Sequence, residues 1–379
     1  MLRLGFALRR LGRSCPPCAS YGTAAESSAL HRMVRVENLP EGYNVGSIID
    51  AMKANPSETI IPSKDHLLVK FFDEKAARRC VEANKELSVK IDDSTSPPLS
   101  TLTVASLAKH GASRTIRLGT LPGDFTESRF NEILSQCGLI SSRFDRATGV
   151  AEAQFLDLNQ AFKARIDFLK AGTNPKYLEA EHFTYPEWCS KEDTQPGQRR
   201  LVRISGLTDS LIREMCTSWT NDYARFPLAA FISAQFIDGS GEMSVYFPTS
   251  ALAQQFITTC EPLADGQCQF FLKTSGQVVS PSVVTAIDQG ARRTVTVPYS
   301  GILTDRVQRQ FGRFLSKFGR IDERYITHVD GQLLVPFHSV IGAASFVYLY
   351  QRGSKINTLS PVAAEIKGTK PTFVGCHLS

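Results

Sequence analysis

Apolar and polar residues alternate along four short stretches of the chain, and each stretch opens one copy of a repeated pattern. Val34-Arg35-Val36, Ile116-Arg117-Leu118, Val202-Arg203-Ile204 and Val295-Thr296-Val297 put aliphatic side chains on one face of a strand. A second alternating stretch closes each copy on a phenylalanine: Phe71, Phe155, Phe247 and Phe337. Between opening and close the apolar spacing lengthens to that of a helix. Phe130, Ile133, Leu134 and Cys137 share a helical face ahead of Gly138, and Val307, Phe311, Phe314, Leu315 and Phe318 share one ahead of Gly319. A strand is predicted after each, at 139–143 and 321–326. Helices are predicted after the closing strands at 74–83, 158–168, 250–259 and 339–350. Last strands are predicted at 101–105, 177–181, 267–272 and 362–366. Asp238-Gly239-Ser240-Gly241 and Asp330-Gly331 read as hairpin turns ahead of third strands.

The order β-α-β-β-α-β defines an α+β domain, a split βαβ sandwich with two helices over one face of a four-stranded sheet. Each copy is too long for a solenoid repeat, so the chain divides into four tandem domains at 33–108, 114–184, 199–275 and 292–368, with a tail at 369–379. Polar or Gly/Pro-bearing linkers are expected at 109–113, 186–198 and 276–291.

The first 25 residues have a different composition. Arg3, Arg9, Arg10 and Arg13 lie among Leu2, Leu4, Phe6, Leu8 and Leu11, and no acid precedes Glu26. An Arg-rich, acid-free amphipathic start is the composition of a mitochondrial transit peptide, so residues 1–25 are expected to direct the protein to the matrix. The whole chain carries a formal charge of +6. Without those four arginines, 39 basic side chains face 37 acidic ones, so bulk charge gives little support to nucleic-acid binding and local placement must carry it.

The nine cysteines form no framework, and Cys15-Pro16-Pro17-Cys18 has no second pair to complete a zinc site. The seven histidines show no metal spacing, and no phosphate-cradling glycine loop or nucleophile motif occurs. No catalysis, cofactor, metal or membrane association is expected.

Val34 to Leu39 with Asn38-Leu39-Pro40, together with Lys317-Phe318-Gly319-Arg320-Ile321, resembles the RNA recognition motif (RRM) family. The topology matches over most of the chain; the motifs match only in part. In that family, bases stack on an aromatic residue of the first strand and on two of the third. The matching first-strand positions here are Arg35, Arg117, Arg203 and Thr296. The third-strand positions are His66 and Leu68, Val150 and Glu152, Glu242 and Ser244, and Gln332 and Leu334. The resemblance implies the fold and leaves every copy without its aromatic platform. The divergent tandem array is also similar in flavour to accessory subunits of kinetoplastid mitochondrial RNA-processing complexes.

Strand alternation nominates the surfaces still able to grip RNA. Arg35, Lys64, His66 and Lys70 point away from the helices in copy one, with no acid at the third-strand positions. Arg117 and Arg203 are expected to be used up by cross-strand Glu152 and Glu242. Arg306, Arg309, Arg313, Lys317 and Arg320 form one stripe along the first helix of copy four, with no acid between Asp305 and Asp322. Arg199-Arg200 and Arg292-Arg293 precede first strands, where they either brace the backbone entering the sheet or lie solvated like a tail, and they are counted with the candidate RNA-binding residues. The expected partner is single-stranded RNA read with low sequence specificity, within a mitochondrial ribonucleoprotein. The rival expectation is a scaffold whose degenerate RRM folds dock other subunits of such a particle.

Overall fold

The computed structural model describes residues 30–52, 57–178, 185–186, 188–208, 232–237, 241–261, 266–321, 323, 326–351, 366 and 369–373. The proposed transit peptide and the first helix of copy three, with Cys216, lie outside the described residues.

Four antiparallel sheets are present, and all have one topology. In the first, β1 (Met33–Val36) lies between β3 (Leu67–Phe71) and β4 (Val89–Ile91), with β2 (Ser57–Pro62) outside β3. The second orders β6 (Leu139–Asp145), β7 (Val150–Phe155), β5 (Thr115–Gly119) and β8 (Pro175–Tyr177). The third orders β10 (Ser233–Ile237), β11 (Glu242–Tyr246), β9 (Leu201–Ser205) and β12 (Gln269–Lys273). The fourth orders β14 (Thr327–Val329), β15 (Gln332–Pro336), β13 (Thr294–Pro298) and β16 (Thr372–Phe373). These are RRM-like units in tandem. Helices α1 (Val45–Ala51), α2 (Glu74–Ala83), α4 (Glu127–Leu134), α5 (Leu158–Lys170), α6 (Ser250–Cys260), α8 (Asp305–Leu315) and α9 (Val340–Gln351) occupy their expected places. Their entries are capped by side chains: Asp73, Thr126, Asp157, Thr249 and Thr304 each accept a backbone N–H of the first turn.

Several expected boundaries are corrected. Residues 101–105 belong to a helix, α3 (Thr101–His110); the last strand of copy one is the three-residue β4. Ser100 caps α3 behind Pro97-Pro98, and Gly111 ends it at φ +59°. All of Thr103 to Ala108 is buried, so α3 lacks the polar stripe that would have marked it as helical. Likewise the linker at 276–291 holds α7 (Pro281–Asp288), buried on consecutive positions Ser282 to Ile287. In copy two the last strand begins earlier, at Pro175. In copy four Ile366 sits in a turn, and Thr372–Phe373, placed in the expected tail, pairs with β13. Of the strand expected at 321–326, Ile321 bridges to Phe337 ahead of β14, while 322, 324 and 325 lie outside the described residues.

The helices inserted between units organise the molecule. α3 and α7 pack on each other, and α3 also packs along α9. One continuous core therefore spans units two and four with both linker helices, whereas units one and three each keep a core of their own. The helical faces of units two and four are spent on this junction.

The same joint links unit one to two and unit three to four. The edge strand of the odd unit, β2 or β10, pairs with the residues that follow the closing Phe of the even unit. In the first joint the Ile60 amide donates to the Leu156 carbonyl at 2.7 Å, and the Thr59 hydroxyl to Asp157 at 2.7 Å. In the second, the Ala234 amide donates to His338 at 2.8 Å and the Val340 amide to Ile232 at 2.9 Å. Thr59 and Ser233 stand opposite Lys70 and Tyr246, each one residue before a closing Phe, so the joints are in register. The approach sequences agree too: Gly111-Ala112-Ser113-Arg114-Thr115 leads into unit two, and Gly290-Ala291-Arg292-Arg293-Thr294 into unit four. An otherwise exposed strand edge is thereby closed in each half.

Candidate nucleic-acid interface

An arginine two residues ahead of each opening aliphatic ties the first strand of its unit (β1, β5, β9 or β13) to the closing Phe. The amides of Phe71, Phe155, Phe247 and Phe337 donate to the carbonyls of Arg32, Arg114, Arg200 and Arg293 at 2.9 Å each. Three of the guanidinium groups reciprocate: Arg32 and Arg114 donate to their Phe carbonyls at 2.7 Å, and Arg293 at 3.0 Å. Arg200 turns instead to the carbonyls of Thr194, Gln195 and Gln277. Arg200 is 1% exposed and Arg293 6%, so the bracing alternative accounts for these two and they leave the candidate RNA surface. Arg292, half-buried, donates to Ile287 at 2.7 Å and caps the end of α7. Arg199 stays exposed, 3.4 Å from the Leu272 carbonyl.

The sheet of unit one is less free than its sequence implied. Its third strand carries no acid, but the flanking strands supply them. Arg35 donates to Asp92 at 3.0 Å, Lys70 lies 3.4 Å from Glu58, and Lys90 meets Glu37 at 2.7 Å. The Ser94 hydroxyl, against a burial penalty, and then the Ser94 amide and Arg35 hold the Asp92 carboxyl below the usual range. His66 contacts Asp65 at 2.8 Å, and Lys64 is exposed in the adjoining turn. Register explains the oversight, because Asp92 and Glu58 are brought to this face only by β4 and β2, elements with weak sequence patterns.

In unit two Arg117 lies directly opposite Glu152 and pairs with it. In unit three Arg203 stands opposite Ser244 and reaches diagonally to Glu242. Both pairings were expected. Unit three adds a feature the sequence reading missed. Phe271, opposite Arg203 on β12, is 39% exposed, with Lys273 Nζ 5.6 Å from its ring centre, and Tyr246 is half-buried on the same face. The signal was the alternation Gln269-x-Phe271-x-Lys273, on a strand outside the family's usual aromatic positions. In unit four the outward positions Thr294, Leu334, Pro336 and Thr372 are buried and Thr296, Pro298 and Gln332 half-buried, so much of that face is covered.

Arg306, Arg309 and Arg313 share one face of α8, while Lys317 and Arg320 lie beyond its C-cap, Ser316. All five are exposed, and none belongs to an ion pair among the described residues. This contrasts with the outward cations of sheets one to three, most of which meet a carboxylate. Within the described residues there is no group of three or more His, Cys, Asp or Glu placed to hold a metal, and no helix long and apolar enough to cross a membrane.

No family model matches the chain, and no curated protein matches it. Among solved structures, the N-terminal three RNA binding domains of the yeast splicing factor Prp24 are 15% identical; the match covers 60% of this chain and 91% of that one, with a TM-score of 0.18. RNA recognition domains 1 and 2 of Sex-lethal from Drosophila melanogaster are 14% identical, covering 38% and 99%, with a TM-score of 0.15. The first two RRM domains of the yeast poly(U) binding protein Pub1 are 16% identical, covering 42% and 98%, with a TM-score of 0.15. The RRM-like architecture of this chain rests on the common strand order and register of its own four sheets.

Proposed function

We propose that this chain is a non-catalytic RNA-binding protein of the mitochondrial matrix. It grips single strands mainly through their phosphates and acts in RNA processing, editing or stability. One observation carries the reading: the exposed row Arg306, Arg309, Arg313, Lys317 and Arg320, which no carboxylate neutralises among the described residues. Guanidinium groups in such a row bind phosphate oxygens without regard to base. Phe271 with Arg203 and Lys273 offers one stacking position on the third sheet, enough for a weak base preference. A scaffold role in a mitochondrial particle is the second reading. The largely covered outward face of the fourth sheet and the carboxylate-paired cations of the other three favour it.

Ultraviolet crosslinking in intact mitochondria, with sequencing of the RNA and mapping of the crosslinked peptides, tests both. The RNA reading expects many unrelated transcripts and crosslinks on peptides within 302–320. Co-purified proteins without crosslinked RNA would favour the scaffold.

A further inference from the structure

Three basic groups meet where the linker helix α3, helix α5 of unit two and helix α9 of unit four come together. Lys109 and His110 end α3, and Arg165 lies on α5. Lys109 Nζ stands 5.4 Å from the centre of the Tyr348 ring, and the His110 imidazole meets that ring edge-on at 4.9 Å. The Arg165 guanidinium covers Tyr177 at 5.4 Å, and Phe162 meets both tyrosines edge-on. The walls are aromatic, and among the described residues no carboxylate pairs with Lys109, His110 or Arg165.

The position of Lys109 and His110 at a helix C-terminus has an ordinary explanation, since the macrodipole favours cations there. That explanation does not extend to Arg165, which brings a second full positive charge to the same place from another unit. Nε of Arg165 and Nε2 of His110 are buried without a hydrogen-bond partner. Burial, and then repulsion from Arg165 and Lys109, push His110 down to about 3, and burial with Arg165 lowers Lys109. All three residues are only half-buried, so solvent reaches the edge of the cluster.

We propose that Lys109, His110 and Arg165 form a binding site for a phosphate group of a small ligand, at the junction of units two and four. Basic groups close enough to perturb one another, set among aromatic walls with no carboxylate paired to them among the described residues, suit an oxyanion, which would offset the repulsion between Lys109 and Arg165 and offer acceptors to unpartnered nitrogens. The site is separate from the α8 row.

The test adds pyrophosphate, ADP or a 5′-phosphorylated RNA oligonucleotide to the full chain at pH 6. The melting temperature is expected to rise with the logarithm of pyrophosphate concentration. The His110 ring, neutral without ligand, is expected to move toward imidazolium in its NMR shifts. Arg165→Gln should abolish both effects, and Arg165→Lys should restore part of them. The Arg306→Glu/Arg313→Glu variant should keep both, which separates this site from the RNA surface. A greater effect of ADP than of pyrophosphate would identify a nucleotide as the source of the phosphate. An unmoved His110 ring at millimolar pyrophosphate overturns the proposal, and so does a response to the oligonucleotide alone. If the Gln variant does not fold, the unchanged or shifted ring of the unmodified chain still decides the matter.

Discussion

Arg32 offers the sharpest stability contrast in the molecule. Its guanidinium is 1% exposed and donates to Glu58 at 2.7 Å, to the Phe71 carbonyl at 2.7 Å, and to the Pro97 carbonyl at 2.9 and 2.5 Å. Hydrogen bonds to a charged group each contribute roughly 1.5–3 kcal/mol, but the desolvation of the guanidinium offsets much of their sum. Removing the side chain takes these donors from the buried Phe71 carbonyl and from Glu58, which keeps Lys70 at 3.4 Å. Breaking a buried pair in this way costs about 3–5 kcal/mol. Arg117, half exposed and paired with Glu152 on an open sheet, belongs to the class where the loss is under about 1 kcal/mol. Arg32→Ala and Arg117→Ala are therefore to be compared by urea denaturation together with native-state hydrogen exchange of the strand amides, which resolves single units in a four-unit chain. Equal losses in the two variants would refute the bracing role assigned to the arginines ahead of the opening strands.

Other perturbations have definite outcomes. A Cβ on Gly319 would lie 2.7 Å from the Gly342 Cα, backbone against backbone, so Gly319→Ala should cost about 1–3 kcal/mol in denaturant unfolding, and an unchanged midpoint would refute the close approach. Burial, with Asp288 nearby adding to it against the Ala76 amide, holds the Asp73 carboxyl above the usual range. A raised folded value means that protonation stabilises the fold, so stability from this group is present at low pH and lost as pH rises through the folded value. Asp73→Asn, which still caps the Ala76 amide, should gain on the unmodified protein as pH rises from acid to neutral; a pH-independent difference would contradict this. A fusion of residues 1–25 to a reporter should enter mitochondria, and a cytosolic reporter would remove the organellar part of the proposal.

The repeat was legible because its opening and closing strands alternate cleanly and its amphipathic helices keep helical period. Linker helices α3 and α7 were not, because each is buried on nearly every side and so shows no periodic polar face. The strands β4 and β16 were misplaced for a related reason: at three and two residues they are too short to hold a pattern. At the candidate site, Arg117 with Glu152 and Arg203 with Glu242 followed from counting back from a closing Phe. The partners of Arg35 and Lys70 did not, since Asp92 and Glu58 arrive from edge strands whose register only tertiary structure sets. For Arg200 and Arg293 the sequence left bracing and solvation open. Their role becomes visible only when all four openings are compared, each with an arginine at the same distance.

The central claim is phosphate-directed RNA binding through the α8 row. It is tested most directly by the salt dependence of affinity for two unrelated single-stranded RNAs, with and without Arg306→Glu and Arg313→Glu. Each lost phosphate contact lowers the slope of log K against log salt by roughly 0.7 on single strands, so the double variant should lower it by about 1.4. Affinity should fall by a similar factor for both sequences. An unchanged slope with affinity intact would contradict the account and return the row to solvent or to a protein partner.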